Sequence, residues 1–171
     1  MYQWAAESPS DICEHIATLR ALAQQCRHVT EFGTRTGVST IALLAAQPET
    51  LITYDIQRAA EVELIAANAG RTAFTYRIED VETATIEETD FLFQDTKHTG
   101  RHVYDLLKRH AGKVRKYLAF HDTESCAERD PWFPDEPGIL WGISRYMKRH
   151  PEWRLVKHYA NCNGLTVYER I

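Results

Sequence analysis

Acidic side chains stand at or just past the ends of five short apolar runs. Glu31 lies near the end of 28–32, Asp55 closes 51–55, Asp80 follows 73–78, Asp95 closes 90–95, and Asp122, with His121 before it, closes 117–122. A carboxylate in such a place is badly suited to a core. It is well suited to accept hydrogen bonds from hydroxyl, amino or ammonium groups, or to hold a cation. Any one of them could instead cap a following helix; five in succession predict a ligand crevice.

The turn after the first run reads Glu31-Phe32-Gly33-Thr34-Arg35-Thr36-Gly37-Val38-Ser39. Glycines permit positive φ and close backbone approach, so Gly33 and Gly37 would let a ligand lie against helix N–H groups. Asp55 comes roughly 20 residues later, the spacing at which an acidic residue meets the ribose hydroxyls of an adenosine ligand. Two ligand classes use this arrangement. A dinucleotide site needs a second glycine where its pyrophosphate approaches the backbone, and Arg35 stands there. S-adenosylmethionine carries no phosphate, and Glu31 could accept its ammonium. Thr34, Thr36 and Ser39 of the turn, and Ile56 beside Asp55, are counted with the same pocket. Arg35 could reach the donor's carboxylate or simply lie in solvent.

Two histidines could move a proton. His98 follows Asp95 by three residues, and an unperturbed imidazole titrates near about 6.5, so it could act as general base. His121 is the other candidate base, or a metal ligand beside Asp95 and Asp122. Trp132, Phe133 and Trp141 could stack on a sugar ring or other apolar ligand, or pack against the sheet.

Elements that would place these residues follow from the hydrophobic pattern. Apolar positions 12, 16, 19, 22 and 23 predict one amphipathic helix over 11–26, capped by Ser10 or Asp11. Beyond it, short apolar runs alternate with helix-length stretches at 38–46, 59–69, 100–111 and 138–150, the signature of βα units around a parallel sheet. The tail differs, because runs 153–159 and 165–169 are joined through Asn163-Gly164, a strong hairpin signal. Residues 124–137, rich in proline, acids and aromatics, are irregular. With 171 residues and no repeat or linker, one domain is expected, a leading helix over 1–27 and a core over 28–171.

Composition narrows the function classes. The chain is 44% hydrophobic and 26% charged with a net charge of −4, so a soluble globular protein is expected, and the short basic cluster 113–116 is read as an exposed strand start. No basic stripe points to nucleic acid. No run approaches the roughly 20 apolar residues that span a bilayer, and the first residues lack the basic start and apolar stretch of a secretory signal. A cytoplasmic location is expected. Cys13, Cys26, Cys126 and Cys162 show no metal or redox spacing and are read as reduced.

With these motifs in place, the turn from Glu31 to Thr40 resembles the first motif of class I methyltransferases of the cephalosporin-hydroxylase-like and macrocin-O-methyltransferase-like group. Asp90-Phe91-Leu92-Phe93-Gln94-Asp95-Thr96-Lys97-His98-Thr99 is similar to that group's fourth-strand element, Ala119-Phe120-His121-Asp122-Thr123 to its fifth, and Glu152-Trp153-Arg154 with Asn163-Gly164-Leu165-Thr166-Val167 to its closing hairpin. The resemblance runs from about residue 28 to the end. It implies a Rossmann-like α/β fold with a seven-stranded, mostly parallel sheet, helices on both faces and an antiparallel C-terminal hairpin. It also implies S-adenosylmethionine as donor and a hydroxyl on a small molecule or carbohydrate as acceptor. It places Glu31, Gly33, Thr36, Gly37 and Ser39 around the methionine part, Asp55 at the ribose and Asp80 near the adenine. In relatives that use a divalent cation such as magnesium, the ligands would correspond to Asp95, His121 and Asp122. His121 here stands where a carboxylate is common. The short N-terminal region implies an open acceptor pocket, or one that a second subunit of a homodimer completes. Two other readings are a non-catalytic module of this fold that partners carbohydrate-modifying enzymes, and a nicotinamide-dependent oxidoreductase.

Overall fold

In the computed structural model, which describes residues 1–171, the five apolar runs form parallel strands and the tail forms an antiparallel pair. The strands are β1 (His28–Phe32), β2 (Thr50–Asp55), β3 (Ala73–Ile78), β4 (Thr89–Gln94), β5 (Val114–His121), β6 (Trp153–Tyr159) and β7 (Leu165–Arg170). Their order in the sheet is β3-β2-β1-β4-β5-β7-β6, with β7 antiparallel to both its neighbours. β1 is flanked by β2 and β4, so the winding reverses there, and the carboxyl ends of these strands open on a common crevice.

Helices α1 (Tyr2–Glu7), α2 (Ile16–Ala23), α3 (Val38–Leu44), α4 (Val62–Ala67), α5 (Gly100–His110) and α6 (Ile139–Met147) complete the fold. The alternation of a strand's side chains divides the core in two. Val29, Leu51, Phe91, Phe93 and Ala119 pack under α1, α2 and α3, with Ile65 of α4. Phe32, Ile52, Leu92, Leu118 and Phe120 pack against α5 and α6 on the other face. That alternation also fixes the site. Glu31 pairs with Thr53 and Phe93, and Gln94 with Phe120. Asp95, one step on, therefore comes beside His121.

The expected helix over 11–26 is replaced by a short 3-10 turn at Cys13–His15 followed by α2. His15 is drawn inward, 1% exposed, where its Nε2 lies 3.0 Å from the Asn161 carbonyl oxygen, and a tertiary bond of this kind overrides local periodicity. The leading region 1–27, expected as one helix, opens instead with the separate short helix α1, whose single buried residue is Ala5. β5 begins at Val114, earlier than the pattern showed, because Val114 pairs with Thr89. It ends before Asp122, whose φ of +58° turns the chain out of the strand.

Candidate active site

Close packing shapes the turn between β1 and α3. A Cβ on Gly33, at φ +88°, would lie 1.8 Å from the Asp95 carbonyl oxygen, and one on Gly37, at φ +80°, would lie 2.3 Å from Ile65 Cδ1. These glycines therefore let the turn approach the end of β4 and α4, where the sequence reading had them admit a ligand. The backbone N–H groups of Thr34 and Arg35 both donate to Asp55 Oδ2 at 2.9 Å, and that of Gln57 donates to Oδ1 at 3.1 Å. Asp55 thus organises the turn while lining the cavity beside it.

Glu31 is placed otherwise than expected. It is 0% exposed and lines neither of the two spaces beside the turn. Ser39 Oγ and Thr40 Oγ1 donate to it at 2.6 Å and Thr53 Oγ1 at 2.7 Å. Burial raises its pKa to about 7, although the three hydroxyls pull the other way. In this arrangement Glu31 anchors α3 to β1 and β2. Gly37 lies outside the cavities as well.

Around this turn are two adjoining spaces. The larger, about 350 Å³, is bounded by Gly33, Arg35, Tyr54, Asp55, Ile56, residues 79–82, Asp95, Thr96, Lys97 and His102. It brings Asp55, Ile56, Asp80 and Asp95 together as the sequence suggested. Ile56 is 68% exposed, an apolar side chain left at a strand end for a flat apolar surface to cover. The smaller space, about 20 Å³, lies under residues 10–12 and is lined by Gly33, Thr34, Arg35, Thr36, Val38, Ser39 and Asp95. An open groove of about 600 Å³ along the outer side of α5 shares Glu82, Lys97 and His102 with the first cavity. It is lined almost wholly by charged side chains and lacks the strand-end carboxylates, so its size does not make it the site.

Beyond Asp95 lies a dense ionic cluster. His98 Nε2 is 2.9 Å from Asp122 Oδ2 and 3.4 Å from Asp95 Oδ1. His121 Nε2 faces the Cys162 carbonyl oxygen at 3.0 Å. Its Nδ1 is 3.1 Å from Asp122 Oδ2 and 3.5 Å from Asp95 Oδ2, yet is buried in hydrogen-bonding geometry with neither. Ser125 Oγ donates to Asp122 Oδ1 at 2.7 Å. Burial disfavours the charged histidines, but the carboxylates of Asp122 and Asp95 outweigh it, lifting His98 to about 9 and His121 to about 11. Asp122 is held far below the usual carboxylate range, because the two imidazoles close beside it outweigh burial. The same balance lowers Asp95.

Asp130, from the irregular loop, is 2% exposed and sits with Oδ2 3.8 Å from His98 Nδ1, while Oδ1 accepts the Trp132 N–H at 2.8 Å. Nothing in the loop's composition singled it out. Cys126, read as incidental, also lies close to His98 and Asp130. Trp132 is 86% exposed. Phe133 lies under Lys97 at 4.1 Å, and Trp141 stacks edgewise on Tyr104 at the α5–α6 surface. Arg35 carries its guanidinium to Asp11 at 2.8 Å. No helix is long and apolar enough to cross a membrane.

No protein-family model matches the chain, and no curated protein matches it in sequence. Solved structures match in fold. The O-methyltransferase TomG of Streptomyces achromogenes, involved in tomaymycin synthesis and solved with SAM, aligns with a TM-score of 0.69 at 20% identity, over 99% of this chain and 87% of its own. An O-methyltransferase of Bacillus cereus, in complex with SAH, aligns at 0.67 and 17% identity over 96% and 82%. The N-methyltransferase NodS of Bradyrhizobium japonicum gives 0.69 at 14% identity over 96% and 98%. At these identities the likeness shows the fold: the chain has the Rossmann-like architecture of these methyltransferases over nearly its whole length.

Proposed function

We propose that the chain is an S-adenosylmethionine-dependent methyltransferase that methylates a hydroxyl on a small molecule or carbohydrate. The observation that carries this reading is the position of Asp95, which lines the cavity at the switch point and also belongs to the histidine–aspartate cluster. A bound donor and a proton-accepting group would thereby meet at one residue. The cavity fits an adenosine. Asp55 stands at its wall for ribose hydroxyls, Ile56 and Val81 offer apolar surface to a base, and Asp80 lies beside them. The fold likeness to structures solved with SAM and SAH supports the same ligand.

Methyl transfer requires little of a protein beyond alignment, exclusion of water and removal of the acceptor's proton. S-adenosylmethionine supplies the electrophilic methyl group. His98, on the loop after β4, is the side chain placed to take the proton through Nε2, and in the imidazolium so formed it is stabilised by Asp122 and Asp95. At a pKa of about 9, His98 is mostly protonated at neutral pH, so its basic fraction grows as pH rises toward 9. Asp95, Asp122 and the orphan Nδ1 of His121 also fit a divalent cation, since a metal-bound imidazole commonly donates its other N–H to a carbonyl, as His121 does to Cys162. Such an ion would lower the pKa of an acceptor hydroxyl.

Calorimetric titration with S-adenosylhomocysteine tests the donor assignment. Saturable binding is expected, lost or greatly weakened in Asp55→Ala. No binding to the wild-type chain at millimolar ligand would overturn it.

A further inference from the structure

The donor proposed above carries a zwitterion at its methionine end, and the structure sets apart one ion pair to receive it. We infer that Asp11 binds the α-ammonium of the donor and Arg35 its α-carboxylate, the two side chains exchanging their mutual salt bridge for the ligand. The inference rests on the donor reading and extends it to a residue outside the Rossmann-like core.

Elimination leads to Asp11. Four carboxylates lie near the turn, and Asp55 is taken up by the backbone N–H groups of Thr34, Arg35 and Gln57. Glu31 is fully buried under three hydroxyl donors, and Asp95 faces His98 and His121. Asp11 has its oxygens 2.8 and 3.1 Å from Arg35 Nη1, and this partner is itself a surface side chain, 74% exposed. Asp11 and Arg35 both line the small space under residues 10–12, with Gly33, Ser39 and Asp95. Arg35, Gly33 and Asp95 also bound the adenosine-sized cavity, so the smaller space adjoins the larger at the end where a longer ligand would continue. A space of about 20 Å³ holds about one water. An amino-acid end needs more, and parting Asp11 from Arg35 enlarges the space while exposing one group of each sign. An ammonium and a carboxylate on one carbon match that pair in charge. A neutral thioether does not.

Two ligands separate the claim from its alternatives: S-adenosylhomocysteine, which has the amino-acid end, and 5′-methylthioadenosine, which lacks it. Calorimetry on the full chain is expected to show that wild type prefers S-adenosylhomocysteine. Asp11→Asn and Arg35→Gln should each weaken that ligand roughly tenfold or more, as expected for loss of a charged hydrogen bond, and weaken 5′-methylthioadenosine far less, whose retained binding also shows that the variants fold. The charge-swapped double variant Asp11→Arg/Arg35→Asp restores an ion pair with its signs reversed and should bind as poorly as the single variants. Wild-type affinity for S-adenosylhomocysteine in the swap, or equal losses for both ligands in the single variants, would show that the pair only ties down the N-terminal segment and would overturn the inference. Single variants that bind both ligands as wild type does would overturn it as well. Failure of wild type to bind either ligand would instead remove the donor reading on which it stands.

Discussion

The turn after β1 and the cluster after β4 and β5 lie on the same sheet edge, and they are held by opposite means. In the turn, Asp55 accepts three backbone N–H groups and Glu31 three hydroxyls, so its carboxylates are satisfied by neutral donors from nearby in the chain or from adjacent strands. In the cluster, the carboxylates of Asp95 and Asp122 face two imidazoles, and Asp130 faces His98 across a longer gap. The turn is a cradle whose backbone is tied down from within by Asp55 and Glu31. The cluster is a store of charge whose protonation a ligand or ion can alter.

Breaking the cradle should cost the most. Gly33→Ala would drive a Cβ into the Asp95 carbonyl at a positive φ, and a loss of at least about 3 kcal/mol is expected, since backbone strain and overpacking add. Urea unfolding with unchanged slope would measure it. A nearly wild-type midpoint would mean that the turn has another conformation within reach. Asp122→Ala should come next, at about 3 kcal/mol, because it leaves the buried His121 and the half-buried His98 short of a counter-charge. The direction with pH is fixed by the shifts. His98 and His121 titrate above their unfolded values in the fold, so the stability they contribute is present below about 6.5 and is lost as pH rises through about 9 and about 11. Asp122→Ala should flatten that alkaline decline.

The smallest effect separates the regions most sharply. Glu31 titrates near 7 in the fold, above its unfolded value of about 4.3, so the native state binds more protons between those values. The part of the stability that depends on Glu31 should fall as pH rises through that window and stay level above it. Glu31→Gln removes the group and should remove the slope, leaving the alkaline decline of the histidines intact. An unchanged slope in the variant would show that another group is responsible.

Much of this was legible in the residues. The strand runs and the Asn163-Gly164 hairpin follow from periodicity and turn chemistry, and the structure keeps them. Other features depend on contacts that local pattern does not encode. The role of Glu31 turned on Thr53, a residue on the neighbouring strand that reads as part of an apolar run. Asp130 and Cys126 reach His98 only because the irregular loop after β5 folds back over the loop after β4. His15 was taken inward by a carbonyl from the far end of the chain, and Asp11, read as a helix cap, instead meets Arg35 across the crevice.

The central claim is that the adenosine-sized cavity and the ionic cluster form one site through Asp95. Nitrogen-15 spectra of the imidazoles of His98 and His121, recorded while S-adenosylhomocysteine is added to saturation, test it most directly. The account predicts that both signals shift along the binding isotherm, and that the half-buried His150, stacked on Tyr146, does not. Saturable binding that leaves both imidazoles unmoved would contradict it, because the ligand would then occupy a place that does not reach the cluster.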